Sequence, residues 1–209
     1  GADLGGSEGV DTVVREVAAR GLDVEVLVNS AGYGLAGAFG ALGAEPQLGM
    51  IDLNVRALTA LTHALLPGLV ARRRGYVLHV ASMAAFQPGP LMAVYYATKA
   101  YVLSLSAALH EELRGQGVHV TALCPGYTET EFASRTDSAA RPRLFSGQLG
   151  RADARHVAEV GYRAVRRGQV LVVPGARNWL NAWLMRLSPL ALQLRVVRYI
   201  NGVPAKASP

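Results

Sequence analysis

Tyr76-Val77-Leu78-His79-Val80-Ala81-Ser82 is the stretch on which the fold turns. Its first five residues are mostly aromatic, β-branched or apolar, and the run is short, so it reads as a buried strand. Two small residues end it. Arg72 to Gly75 reads as a turn before it, and Gln87 to Pro90 as a Pro/Gly loop after it. A helix-length segment lies on each side. In Leu48 to Val70, Ile51, Val55, Leu58, Leu61 and Leu65 share one stripe. Ala93 to Arg114 is closed by Gly115 and Gly117. Beyond these segments come two more strands, Val24 to Val28 (VEVLV) and Val118 to Leu123 (VHVTAL). Further out, Ser7 stands where it can cap a helix carrying Val10, Val13, Val14, Val17 and Ala18, with Gly21 as its stop. Asp153 to Arg167 reads as a helix and Val170 to Val173 as a fourth strand. The last 35 residues read as helical pieces broken at Pro189. Strands alternating with helices of this length predict βαβ units, hence an α/β fold with a parallel sheet.

Three strands run into small or turn residues: Asn29-Ser30-Ala31-Gly32, Ala81-Ser82 and Pro125-Gly126. In an open α/β sheet the ligand sits beyond the carboxyl ends of the strands. Asn29, Ser82 and Pro125-Gly126 are therefore expected to line one crevice. The irregular segment from Gly126 to Gly150 exceeds an ordinary connection and reads as a lid or binding loop.

Composition narrows the function. The chain has 209 residues, 51% of them hydrophobic, enough for one sizeable core. Its single cysteine, Cys124, excludes an internal disulfide framework and points to a reducing, cytoplasmic setting. As a lone cysteine it reads as a buried small hydrophobe. The N-terminal GADLGGSEGVD has neither the basic region nor the apolar core of a signal peptide. No apolar run reaches the roughly 18 residues of a spanning helix. The histidines at 63, 79, 110, 119 and 156 show no ligand spacing, so no metal is expected. Residues 1–134 hold 8 basic and 12 acidic side chains, net −4; residues 135–209 hold 13 and 3, net +10. The basic third reads either as a solvated Arg-rich surface or as an attractor of acidic partners. It lacks a nucleic-acid recognition motif, and no nucleic acid is expected. Within it, residues 176–200 combine Trp, Leu and Arg. That mixture fits a helix lying on a membrane surface, or an apolar cover for a pocket or subunit interface.

Val94-Tyr95-Tyr96-Ala97-Thr98-Lys99-Ala100 carries the chemistry. A phenol has a pKa near 10 and is a poor acid or base at neutral pH. A nearby ammonium favours the phenolate. Residues three or four apart share a helix face, so either Tyr95 or Tyr96 can meet Lys99. Ser82, at the strand end, can hold a substrate oxygen in the same crevice.

Taken together, these residues resemble the short-chain dehydrogenase/reductase family. The matching elements are Asn29-Ser30-Ala31-Gly32, Leu53-Asn54-Val55, Ser82, Tyr95 with Lys99 four residues on, and Pro125-Gly126 with Thr130. They run in the family's order over nearly the whole chain. ASMAAFQP, YYATKAYVLS and ALCPGYTETEF are most similar to its DltE-like branch. The resemblance implies a doubly wound Rossmann-type sheet with helices on both faces, residues 1–209 forming one partial domain and 176–209 a basic apolar extension. It implies an NADP- or NAD-dependent oxidoreductase that interconverts a carbonyl and a secondary alcohol. It selects Tyr95 as the general acid/base, with Lys99 lowering its pKa and binding the nicotinamide ribose. Ser82 would hold the reacting oxygen, and Asn54 a water relaying protons from Lys99. Asn29, Ala31 and Gly32, with Pro125, Gly126, Thr128 and Thr130, would face the cofactor; Asp3 and Leu4 would lie beside its adenine. A homodimer or homotetramer through the two long helices is implied as well.

The family also implies a strand and a Gly-rich turn, TGxxxGxG, that receive the pyrophosphate. Residues 1–9 are Gly-rich but follow no strand. The expectation is that roughly 60 residues of strand and helix, about two βαβ units, precede this sequence in a longer reading frame. The rival expectation is a catalytically inactive fragment, or a cofactor-sensing or scaffold protein. Ser30 stands where the family has a second asparagine. Phe86, Phe132 and Phe145 hint at an apolar substrate.

Overall fold

In the computed structural model, residues 1–6, 8–128 and 152–202 are described. Four parallel strands form one sheet in the order β1 (Val26–Asn29), β2 (Gly75–Val80), β3 (Val118–Leu123) and β4 (Leu171–Val172). Every neighbouring pair is parallel, with Asn29 opposite His79 and Val80 opposite Leu123. The order follows the sequence without reversal, so these strands make one wing of a doubly wound sheet.

Alternation along the strands sorts the core into two faces. Leu27, Val77, Val118 and Val120 pack with Leu61, Leu69 and Leu113. The helices covering that face are α1 (Gly9–Ala19), the long helix from Ala44 to Ala71 and α4 (Ala93–Glu112). Leu78 and Leu123 turn the other way and meet Val157 and Val165 of α5 (Ala154–Arg166). Helices thus cover both faces, as the alternating pattern predicts. Two C-terminal helices, α6 (Ala176–Leu187) and α7 (Leu190–Asn201), follow, with Pro189 at the break between them.

Some local expectations change. The helix expected from Leu48 begins at Ala44, and it is not uniform: α2 (Ala44–Ile51) passes through a π-helical segment, Asp52–Ala57, into α3 (Leu58–Ala71). Among the described residues these 28 form the one helix long and apolar enough to cross a membrane by length and composition. The linear sequence hides this because Asp52, Asn54, Arg56 and His63 break its apolar runs. Its inner side, including Leu58, Leu61 and Leu69, is buried in the cover of the sheet. Helix α1 starts behind Glu8, which makes no side-chain cap bond; Ser7 lies outside the described residues. Gly21 ends it as expected, with a φ of 58°. Asp153 caps α5 by accepting from His156 N at 2.8 Å.

Candidate active site

The sheet's carboxyl edge brings three of the predicted segments together. Ala81 N donates to Leu123 O at 2.8 Å and Met83 N to Pro125 O at 2.9 Å, so Ala81-Ser82 and Pro125-Gly126 leave the sheet side by side. Ser82 is extended, at φ −174°, and its Oγ accepts from Ala84 N at 3.1 Å, capping a single 3₁₀ turn, Met83–Phe86. Its side chain also lies near enough to the Tyr95 phenol to favour the phenolate, against the larger opposing effect of burial. Tyr95 rises from the first turn of α4, buried against Leu35, Met92 and Tyr127.

One turn on, Lys99 is 7% exposed. Its Nζ donates to Val80 O at 2.8 Å and lies 5.9 Å from the Tyr95 ring centroid. Burial dominates both titrations: it pushes the Tyr95 phenol up to about 12 and Lys99 down to about 8. At Tyr95 burial thus outweighs the neighbouring groups in this arrangement. The ammonium is turned to a carbonyl, and its attraction across 5.9 Å is smaller than the desolvation of a buried phenolate. Cys124 sits at the same spot, fully buried, its thiol pushed up to about 12 by burial. It packs with Leu58, Ala81 and Val102 as the small hydrophobe expected.

The neighbouring tyrosine has a different occupation. Tyr96 Oη donates to Asn201 Oδ1 at 3.1 Å, and Asn201 Nδ2 donates to Pro90 O at 3.0 Å. Gly89 lies against the Tyr96 ring, where a Cβ would fall 2.1 Å from Cγ. Tyr96 is thus a strut between α4, the 87–90 loop and α7.

Asn54 stands in the π-helical segment, 1% exposed. Its Oδ1 accepts from Tyr33 N at 3.1 Å; its Nδ2 donates to Tyr33 O at 3.0 Å and to Thr98 Oγ1 at 3.1 Å. Both amide hydrogens are committed, so the side chain fastens the Gly32-Tyr33 backbone to the active-site helix. The fit is close: a Cβ on Gly32 would lie 2.7 Å from Asn54 Oδ1 and 3.7 Å from Lys99 Nζ. Gly32 therefore brings bare backbone beside the lysine, a cradle that suits a ribose held by Lys99.

Other expected cofactor residues are placed as follows. Ala31 is exposed beside Gly32. The Asn29 side chain turns inward and donates to Thr62 Oγ1 at 3.0 Å, so it does not line the crevice. The reason is strand alternation: Asn29 sits on the core side of β1, opposite His79. Gly126 is shouldered by Asn178 of α6, and Thr128 Oγ1 donates to Gly126 O at 3.1 Å. Thr128 also pairs with Ala152. Thr130, Phe132, Phe145 and most of the expected loop lie outside the described residues. Phe86 is half-buried and packs with the Cys124 cluster. Asp3 accepts from Gly5 N at 3.0 Å in an N-terminal turn, with Leu4 half-buried beside it; no described contact joins either to the Tyr95 cluster.

Sequence reasoning passed over Tyr33, Thr98, Asn178 and Asn201, each polar, partly or wholly buried and bonded to the site's framework. A glycine signal was also passed over. Gly32-Tyr33-Gly34-Leu35-Ala36-Gly37 has dinucleotide-fingerprint spacing after a strand, but it runs into a 3₁₀ turn, Phe39–Ala41, and opens no helix whose N-terminus can receive a pyrophosphate.

Comparison with known proteins agrees with this geometry. A family model described as short chain dehydrogenase matches residues 1–141. An oxidoreductase of Staphylococcus epidermidis is 32% identical over 143 residues, covering 68% of this chain and 62% of the relative. An NADP-dependent 3-hydroxy acid dehydrogenase of Salmonella typhi is 38% identical over 141 residues, covering 63% of this chain and 54% of the relative. This chain thus spans about three-fifths of the length of such relatives. Among solved structures, a short-chain dehydrogenase from Sphingobium yanoikuyae in complex with NADPH superposes with a TM-score of 0.73 at 28% identity, over 91% of this chain and 75% of that one.

Proposed function

Because the chain belongs to the short-chain dehydrogenase family, whose members take NADP or NAD, we propose that it is the catalytic part of an NAD(P)-dependent oxidoreductase. It interconverts a carbonyl compound and a secondary alcohol. The observation that carries this reading is the buried Lys99, its Nζ 5.9 Å from the Tyr95 ring and bonded to Val80 O, at the carboxyl edge of β2 where Ser82 follows. When bound, the nicotinamide supplies the hydride to the carbonyl carbon, or accepts it in reverse.

The protein's own residues handle the oxygen. In reduction, Tyr95 acts as the acid. Its phenol, held protonated far above neutral pH, donates to the carbonyl oxygen while Ser82 Oγ holds the same atom. In oxidation Tyr95 must first lose its proton, and the Lys99 ammonium, 5.9 Å from the ring, opposes the cost of the phenolate. Lys99 spends one N–H on Val80 O and lies beside Gly32, so its other N–H groups would hold the ribose hydroxyls of a bound cofactor. Asn54 is a positioning residue: it holds the Gly32-Tyr33 backbone against α4. Leu35, Met92 and Tyr127 around Tyr95 suit an apolar carbonyl compound. Leu48, Ile51 and Tyr101, exposed by 53, 40 and 39% on the two long helices, are the surface we assign to subunit contact.

Tyr95→Phe in the full-length protein should lower NADPH-dependent reduction across a panel of ketones on the order of 10²- to 10⁴-fold. Tyr96→Phe should keep most of the activity and lose stability through Asn201. The reverse pattern of activities would overturn the assignment.

A further inference from the structure

Helix α6 wears its apolar face outward. Trp179, Leu180, Trp183, Leu184 and Leu187 are exposed by 53, 51, 46, 52 and 78%. At about 100° per residue they share one arc of roughly 140°. The opposite side is the inner one: Ala182 is buried, Met185 is half-buried and Asn178 donates to Pro174 O at 2.9 Å. Arg177 and Arg186 are exposed at the two borders of the apolar arc. Helix α7 adds exposed Arg195 and Arg198, with Leu192 and Tyr199 exposed by 50 and 67%. No Asp or Glu follows Glu159 in the sequence. The apolar arc of α6 is thus turned outward, while its opposite side meets the turn after Ser82 and Gly126.

We propose that this face docks the protein on an anionic membrane surface. Tryptophan and leucine enter the interfacial layer, and the flanking arginines pair with lipid phosphates. Charge selects this occupant. A second copy in a two-fold contact would set the same arginines against one another with no carboxylate between them. Nucleic acid would meet the arginines but leave the apolar arc in water. The arm is also tied to the crevice. Helix α6 packs on the Met83–Phe86 turn after Ser82, Asn178 abuts Gly126, and Asn201 holds Tyr96. The docking stands on the surface alone and does not depend on the redox reading.

Trp179 and Trp183 both lie on this face, so the part of the emission that a Trp179→Phe, Trp183→Phe variant loses reads it directly. The full-length protein is mixed with vesicles of phosphatidylcholine alone or with phosphatidylglycerol added. With the anionic vesicles the emission should shift to the blue, brominated lipid should quench it, and the protein should pellet. Neutral vesicles should give little of this. Arg177→Gln with Arg186→Gln should lower partition onto anionic vesicles on the order of tenfold. Leu184→Glu should abolish it while leaving the circular dichroism unchanged. Unchanged wild-type emission with anionic vesicles would overturn the proposal. So would equal binding to both vesicles, or a blue shift without lipid that grows with protein concentration and marks self-association.

Discussion

Tyr95 and Tyr96 are adjacent, both buried and both pushed up to about 12, yet their surroundings differ. Helix spacing left them equivalent against Lys99. Their partners separate them: Ser82 for Tyr95, and Asn201, 105 residues away, for Tyr96. The second partner was illegible in the sequence because it depends on where α7 returns, which no local pattern encodes. Lys99 offers a test of the same burial. Its folded pKa of about 8 lies below its ordinary 10.5, so charging it is penalised in the fold. Below pH 8 folded and unfolded states both hold the proton and the full penalty applies. Between pH 8 and 10.5 the unfolded state binds more protons, and stability rises with pH. Urea unfolding of wild type against Lys99→Met should therefore show the wild type gaining roughly 3 kcal/mol on the variant across that window. A constant difference would mean the lysine is solvated.

At the scale of elements, short β-branched runs between amphipathic stretches made all four strands and the main helices legible. The π-helical segment was not. A shift from i→i+4 to i→i+5 bonding changes no residue's helix propensity, so Asp52–Ala57 reads like the helix around it. The segment nevertheless lies where Asn54 reaches Tyr33 on one side and Thr98 on the other. The partnership with Gly32 can be measured. Gly32→Ala places a methyl 2.7 Å from Asn54 Oδ1. Asn54→Ala removes that clash and leaves the Tyr33 backbone groups unpaired, costing about 1–3 kcal/mol on its own. The double variant should then be more stable than the sum of the two losses predicts, by at least about 0.5 kcal/mol. Simple additivity in thermal unfolding would mean that the Gly32 loop moves away at no cost.

Across the whole molecule, β1, α3, β2 and α4 are joined by a buried polar chain that the spacing of the five histidines does not reveal. Asn29 Nδ2 donates to Thr62 Oγ1; His79 Nε2 lies 3.1 Å from that oxygen, and His79 Nδ1 lies 2.9 Å from Ser106 Oγ. Thr62 and Ser106 also donate to Leu58 O and Val102 O within their helices. His79 is wholly buried, and burial lowers it from 6.5 to about 4. Between these values the unfolded chain binds the proton and the fold does not, so stability is full above pH 6.5 and is lost as pH falls toward 4. Carboxylates titrate in the same range, which is why the informative quantity is a difference. Against His79→Gln, the wild type should lose roughly 3 kcal/mol more between pH 6.5 and 4. Because the chain crosses four elements on one side of the sheet, protonation should collapse them in a single transition followed equally by circular dichroism and fluorescence. Parallel pH profiles for the two proteins would show that His79 accepts its proton inside the fold, both ring N–H groups donating to hydroxyls that already donate to their helix carbonyls.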